Sequence, residues 1–169
     1  TVTCTFNYVK RGRIIVDEVT VPSGDPLGFG FSMTGGPDSI NSSFFLTDAA
    51  APYQSSTLRP GTYAAAQSPL PSGWDLTSAT CSDGSLPSAV AVAPGEVVTC
   101  TFTHTKRGTI LVDVVTTPAS DPKTFGFSLT GGPDAIAQNF SLADLTAAHS
   151  SGLVRQGTYA ATPGATPAG

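Results

Sequence analysis

Val2-Thr3-Cys4-Thr5-Phe6 returns 96 residues later as Val98-Thr99-Cys100-Thr101-Phe102. The same offset relates a second stretch, since Phe29-Gly30-Phe31-Ser32 returns as Phe125-Gly126-Phe127-Ser128. Of the 73 positions that can be compared at this offset, 39 are identical. So extensive an identity, held without a gap, indicates duplication of a whole folding unit, and it predicts tandem domains with a 96-residue repeat.

The offset also predicts the domain boundaries. One complete repeat is expected over residues 10–105, and residues 1–9 are expected to be the last strand of a preceding repeat or a donated strand. Residues 106–169 are expected to form a second repeat that lacks its C-terminal strands, because no counterpart of the 23 residues Trp74–Glu96 follows Gly169. The repeats are expected to be joined by a linker as short as Thr103–Lys106.

The composition favours short strands joined by turns. Only 12% of the 169 residues are charged, whereas the chain has 18 glycines and 14 prolines. Strand patterns recur about every ten residues; in one of them the alternation places Phe29, Phe31 and Met33 on one face. Gly35-Gly36-Pro37-Asp38 has the composition of a turn. The sequence therefore predicts an all-β protein built of β-sandwich domains.

Several classes of function are disfavoured. The net charge of −4 argues against a nucleic-acid partner, and no apolar run is long enough for membrane insertion within this segment. Neither His104 nor His149 has a nucleophile pattern beside it, and His104 is expected to be an exposed residue at the domain junction. We therefore expect no enzyme, no catalytic residues and no cofactor.

The three cysteines favour a disulfide over a metal site. Cys81 and Cys100 lie 19 residues apart, on two predicted strands of the complete repeat. Paired, they would contribute about 3 kcal/mol in the chain-entropy model; the alternative is two buried free thiols. Cys4 is the repeat counterpart of Cys100, and its partner is expected outside this chain segment. The spacings contain no zinc motif, so no metal is expected.

A family resemblance rests on four segments. They are the Val-Thr-Cys-Thr-Phe close, the Lys10-Arg11-Gly12 opening with the apolar strand after it, Pro60-Gly61-Thr62-Tyr63 and Pro71-Ser72-Gly73-Trp74-Asp75-Leu76. Together they resemble the prealbumin-like repeats of bacterial surface proteins, which are related to the B-type stalk modules of collagen adhesins and Gram-positive pilins. The resemblance implies an immunoglobulin-like or transthyretin-like sandwich, used extracellularly at the cell surface as a spacer or fibre unit.

Many stalk modules of that kind contain a Lys–Asn isopeptide bond promoted by an acidic residue. This sequence departs from that pattern, because the opening strand offers Asp17 and Glu18 where the lysine is expected. Gln67 lies near the position of the promoting carboxylate, and the last strand has Thr103 and His104 but no asparagine. We expect no isopeptide bond, and the disulfide is expected to replace it.

Two functions are compatible with these patterns. The first is a structural unit of an extracellular fibre or stalk, with neighbouring copies end to end as partners and Val2, Thr3, Cys4, Thr5 and Phe6 as the candidate donated strand. The second is an adhesin that binds a carbohydrate or protein through loops that differ between the repeats. Residues Asn41–Leu58 differ in this way and include Tyr53, so glycans remain open as partners.

Overall fold

A computed structural model of the chain describes residues 1–165. The chain divides into two compact units, Thr1–Thr105 and Lys106–Gly169.

The first unit contains eight strands and one short 3₁₀ helix, Pro87–Ala89. The strands are β1 (Arg13–Val21), β2 (Phe29–Gly35), β3 (Ile40–Leu46), β4 (Tyr53–Gln54), β5 (Gly61–Gln67), β6 (Trp74–Cys81), β7 (Val90–Val92) and β8 (Val97–Lys106). They form two four-stranded sheets, with the orders β4-β1-β8-β6 and β3-β2-β5-β7. This is the all-β sandwich that the sequence predicts.

The core of the first unit follows from the two-residue period of its strands. Along β1 and β8 every second residue is buried, beginning at Ile14 and at Val98. The facing sheet supplies Phe29, Phe31 and Met33 from β2, all at most 3% exposed. β-branched and aromatic residues fill most of these inward positions, where they pack well on a pleated surface.

The turn between β2 and β3 packs closely on β5. Gly36 has φ of +69°, and a Cβ atom there would lie 2.0 Å from the ring of Tyr63. Only glycine satisfies both conditions, since other residues are strained at positive φ and would collide with the ring. Gly132 stands in the same relation to Tyr159, 96 residues along.

The second unit has five strands among the described residues. They are β9 (Gly108–Val112), β10 (Phe125–Gly131), β11 (Ile136–Leu142), β12 (His149–Val154) and β13 (Tyr159–Pro163). The sheets have the orders β12-β9 and β11-β10-β13. Their registers repeat those of the first unit, since Phe127 pairs with Phe140 as Phe31 pairs with Phe44.

One boundary differs from the prediction. β8 continues through Lys106, so Thr103–Lys106 is the end of a strand and not a linker. The strand extends this far because the parallel ladder with β1 runs to the pair Val21–Thr105.

Candidate functional site

The first and last strands of the first unit lie side by side. β1 and β8 are parallel and pair over nine residues, from Arg13–Val97 to Val21–Thr105. β4 pairs with Ile15 and Val16 of β1, so β8 is the only ladder partner of Asp17–Val21 among the described residues. β8, which we call the closing strand, therefore pairs with the second half of β1 and adds its buried residues to the core.

A disulfide joins the closing strand to its other neighbour. The Sγ atoms of Cys81 and Cys100 are 2.01 Å apart, and the bridge links the end of β6 to the middle of β8. Both cysteines are buried. Cys4 is a free, exposed thiol.

A buried acid–imidazole pair lies between β1 and β8. His104 Nδ1 is 2.8 Å from Glu18 Oε1 and 3.0 Å from Oε2, and neither side chain is exposed. The ring of Phe29 stacks on His104 with a centroid separation of 4.2 Å. His104 Nε2 is buried without a hydrogen-bond partner among the described residues. Burial raises the pKa of Glu18, and the contact with His104 opposes this increase.

The expectation that His104 is exposed was therefore wrong. The β8 strand carries its two-residue alternation as far as this residue, so His104 shares the inward face with Val98, Cys100 and Phe102. The same alternation places Glu18 inward after Ile14 and Val16. This alternation is visible in the sequence, from Val98 through Cys100 and Phe102 to His104.

The second unit has no closing strand among the described residues. Within that part of the chain β9 pairs only with β12, and it ends at Val112, whereas β1 continues to the counterpart of Thr117. An apolar groove is bordered by Val114, Phe125 and Phe127. In the first unit the counterparts of these two phenylalanines are at most 3% exposed, whereas Phe125 and Phe127 are only partly buried.

The predicted donor segment forms no strand and is exposed. Residues 1–11 contain no strand, and Val2, Phe6 and Tyr8 are 90%, 77% and 91% exposed. Their repeat counterparts Val98, Phe102 and His104 are at most 3% exposed in β8. Three large side chains of the segment are thus exposed at positions where their repeat counterparts are buried.

A charged network recurs at one end of each unit. Asp38 accepts hydrogen bonds from Arg59 N at 2.6 Å and Tyr63 Oη at 3.0 Å, and Arg11 Nη1 lies 3.2 Å from it. The Arg59 backbone bond is the main cause that lowers the pKa of Asp38. Asp134 accepts from Arg155 N in the same way. These aspartates hold turns together, which is the role that their position between Pro and a strand predicts.

Neither an isopeptide site nor a metal site is assembled among the residues that the structure describes. The lysines Lys10, Lys106 and Lys123 are all exposed, so none is placed with Glu18 in the core. Among residues 1–165, no group of three or more His, Cys, Asp or Glu side chains is close enough to hold a metal ion. The same residues include no helix of the length and apolar character needed to cross a membrane.

Two four-stranded sheets, closed by a parallel pairing of the first and last strands, define the first unit as a β-sandwich domain. Residues 14–106, more than half of the chain, match a family described as a prealbumin-like fold domain. The chain belongs to this family. The matched residues coincide with the strands from β1 to the end of β8.

Solved structures with a similar arrangement were also found. The Bacillus anthracis TIE protein is 12% identical, with a TM-score of 0.43, and the match covers 91% of this chain but 26% of that one. A C-terminal fragment of the pilus adhesin SpaC from Lactobacillus rhamnosus GG is 16% identical, with a TM-score of 0.40 and coverages of 95% and 77%. A streptococcal ancillary pilin is 13% identical, with a TM-score of 0.41 and coverages of 92% and 59%. No curated protein matched the sequence significantly.

Proposed function

We propose that this chain is a structural unit of an extracellular fibre or surface stalk, built from tandem β-sandwich repeats that neighbouring copies extend end to end. The prealbumin-like family and the repeated sandwich pattern support this function. The Cys81–Cys100 bridge supports an oxidising, extracellular location, because such bonds persist mainly outside the cytosol.

Strand donation between copies is the mechanism that we propose for assembly. The observation that carries it is that one chain contains both an unpaired edge of a β-strand and an exposed segment with the sequence of a closing strand. β9 has a free edge among the described residues, and Val2–Phe6 repeats Val98–Phe102, the sequence that occupies the equivalent edge of β1. Segment 1–9 of one copy would then pair in parallel with β9 of another.

The apolar side chains of the segment supply the main driving force. Val2 and Phe6 are exposed, and burial would contribute about 1.5–3 kcal/mol for each. New ladder hydrogen bonds would extend β9 beyond Val112, as β8 does for β1. Ordering the backbone of segment 1–9 has a conformational cost that opposes this gain, and the new ladder hydrogen bonds offset part of that cost. The contact is therefore expected to be reversible and to depend on concentration.

Deletion of Thr1–Val9 tests this proposal. Electron microscopy should show filaments from the full chain and none from the shortened chain, while the fluorescence of the buried Trp74 in the first unit stays unchanged. A matched pair of variants avoids deletion: Val2→Asp with Phe6→Asp should abolish filaments, and Thr3→Asp with Thr5→Asp, on the outward face, should retain them. Filaments from the shortened chain would refute strand donation.

An adhesin is the second candidate, and one observation favours it. Phe45 is 80% exposed on β3, and its repeat counterpart is Ser141. Tyr53, in contrast, stacks on Phe44 with a centroid separation of 3.7 Å and is partly buried, which makes it a weaker ligand contact. A glycan array that shows binding lost in Phe45→Ser would support an adhesin; equal signals from both proteins would argue against it.

A further inference from the structure

The closing strand β8 and the segment that contains the proposed donor are similar in sequence. Thr1–Lys10 and Val97–Lys106 share Val-Thr-Cys-Thr-Phe and the final lysine, and they differ at their first residue and at three positions before the lysine. The segments that these strands would pair with, here called the acceptors, are also similar in sequence: Arg13–Val21 and Thr109–Thr117 share five of nine residues. Either closing strand would therefore fit either acceptor along most of its length.

One buried contact distinguishes the two combinations. In the first unit the acceptor residue Glu18 meets the closing-strand residue His104 at 2.8 Å. At the 96-residue offset, Val114 replaces Glu18 in the second acceptor and Tyr8 replaces His104 in the segment 1–9. The change is paired: an acid faces an imidazole in one combination, and a valine faces a tyrosine in the other.

The surroundings of this contact repeat as well. Phe29 stacks on His104, and Phe31 meets the ring of Phe102 edge-on with a centroid separation of 5.1 Å. Their counterparts Phe125 and Phe127 border the apolar groove together with Val114. A strand docked in the β8 register would therefore place Tyr8 against Phe125 and Phe6 against Phe127.

We propose that Glu18–His104 and Val114–Tyr8 are specificity-determining pairs that direct each closing strand to its own acceptor. Tyr8 in the first unit would leave the Glu18 carboxylate buried without its imidazole partner. His104 in the second unit would lose its carboxylate and face Val114. Both exchanged pairings are disfavoured because a buried ionisable group without its partner carries the full cost of desolvation. The partner of the second unit is thus a second copy of this chain, docked through segment 1–9, and this inference rests on the strand donation proposed above.

A charge-swap series on the full chain tests these pairs. Val114→Glu should weaken self-association at least about 100-fold, because the new carboxylate would be buried against Tyr8. Adding Tyr8→His to that variant should recover at least tenfold of the loss, since it recreates the acid–imidazole pair. Leu111→Glu is the matched control: it adds the same charge on the outward face of β9, at a side chain that is 67% exposed and does not border the groove, and should change association less than about threefold.

Sedimentation velocity over a concentration series measures each dissociation constant. Tyr8→His alone, which alters neither sandwich, should weaken association about tenfold, so a folding defect at Val114 cannot account for the whole series. If Val114→Glu associates like the original chain, or if Tyr8→His does not rescue it, the specificity pairs are wrong and strand donation stands. If the original chain does not associate, or associates equally without Thr1–Val9, the proposed function itself fails.

Discussion

His104→Ala is expected to destabilise the first unit by about 3 kcal/mol near neutral pH. The substitution leaves the Glu18 carboxylate buried without the imidazole that lies 2.8 Å away, and breaking a buried pair in this way costs about 3–5 kcal/mol. We expect the lower end of this range because Glu18 can take up a proton, since burial already raises its pKa. The loss is large against the total of about 5–15 kcal/mol that is common for a folded domain.

Urea unfolding followed by Trp74 fluorescence is the appropriate assay. Trp74 is the only tryptophan of the chain, and its ring lies 5.3 Å from that of Phe29, which stacks on His104. The signal therefore reports the unfolding of the first unit alone. Midpoints and slopes should be compared for the original chain and the variant, since a change of slope would indicate a change in the unfolded state.

The pH dependence sharpens this prediction. A carboxyl group whose folded-state pKa is raised contributes its stability below the unfolded pKa of about 4.5 and loses it as the pH rises through the folded pKa. Glu18→Gln in the His104→Ala background should therefore restore stability at about pH 7.5 and have little effect at about pH 4.5. Equal effects of Glu18→Gln at both pH values would refute the reasoning, as would a His104→Ala variant within about 0.5 kcal/mol of the original chain.

Two further predictions concern the first unit. Cys81→Ser with Cys100→Ser should lower the free energy of unfolding of this unit by about 3 kcal/mol, as measured by urea unfolding. A reductant should lower the free energy of unfolding of the original chain by a similar amount and should leave that of the variant unchanged. Asp38→Asn should reduce stability near neutral pH and flatten its acid dependence. The pKa of Asp38 is lowered mainly by the Arg59 backbone bond, so its contribution is present above the unfolded pKa and is lost as the pH falls through the folded pKa. Thermal unfolding between about pH 2.5 and 7 measures this, and an unchanged acid profile would contradict it.

Much of the fold could be predicted from local patterns. The alternation at Phe29, Phe31 and Met33 indicates a half-buried strand, and the structure places all three in the core. The glycines and proline between β2 and β3 mark a turn because no other residue adopts the backbone of Gly36 without strain. The family resemblance was confirmed by a match over residues 14–106.

The pairing of distant strands could not be predicted in the same way. Nothing local to Glu18 shows that its neighbour in the sheet is β8, because that depends on the path of the chain over 86 residues. The early end of β9 at Val112 has a similar origin, since the residues after it have no ladder partner among the described residues. The buried position of His104, in contrast, is predictable from local pattern, because the two-residue alternation that begins at Val98 continues to it.

The parallel pairing of β1 and β8 determines how the first unit responds to force. The chain enters at the start of β1 and leaves at the end of β8, so tension applied to its two ends slides these strands past each other in opposite directions. All nine residue pairs of the ladder are then loaded together in shear, whereas an antiparallel pair pulled from one end would open one hydrogen bond at a time. If the ladder does yield, the Cys81–Cys100 bridge keeps the 18 residues between the cysteines out of the extended length.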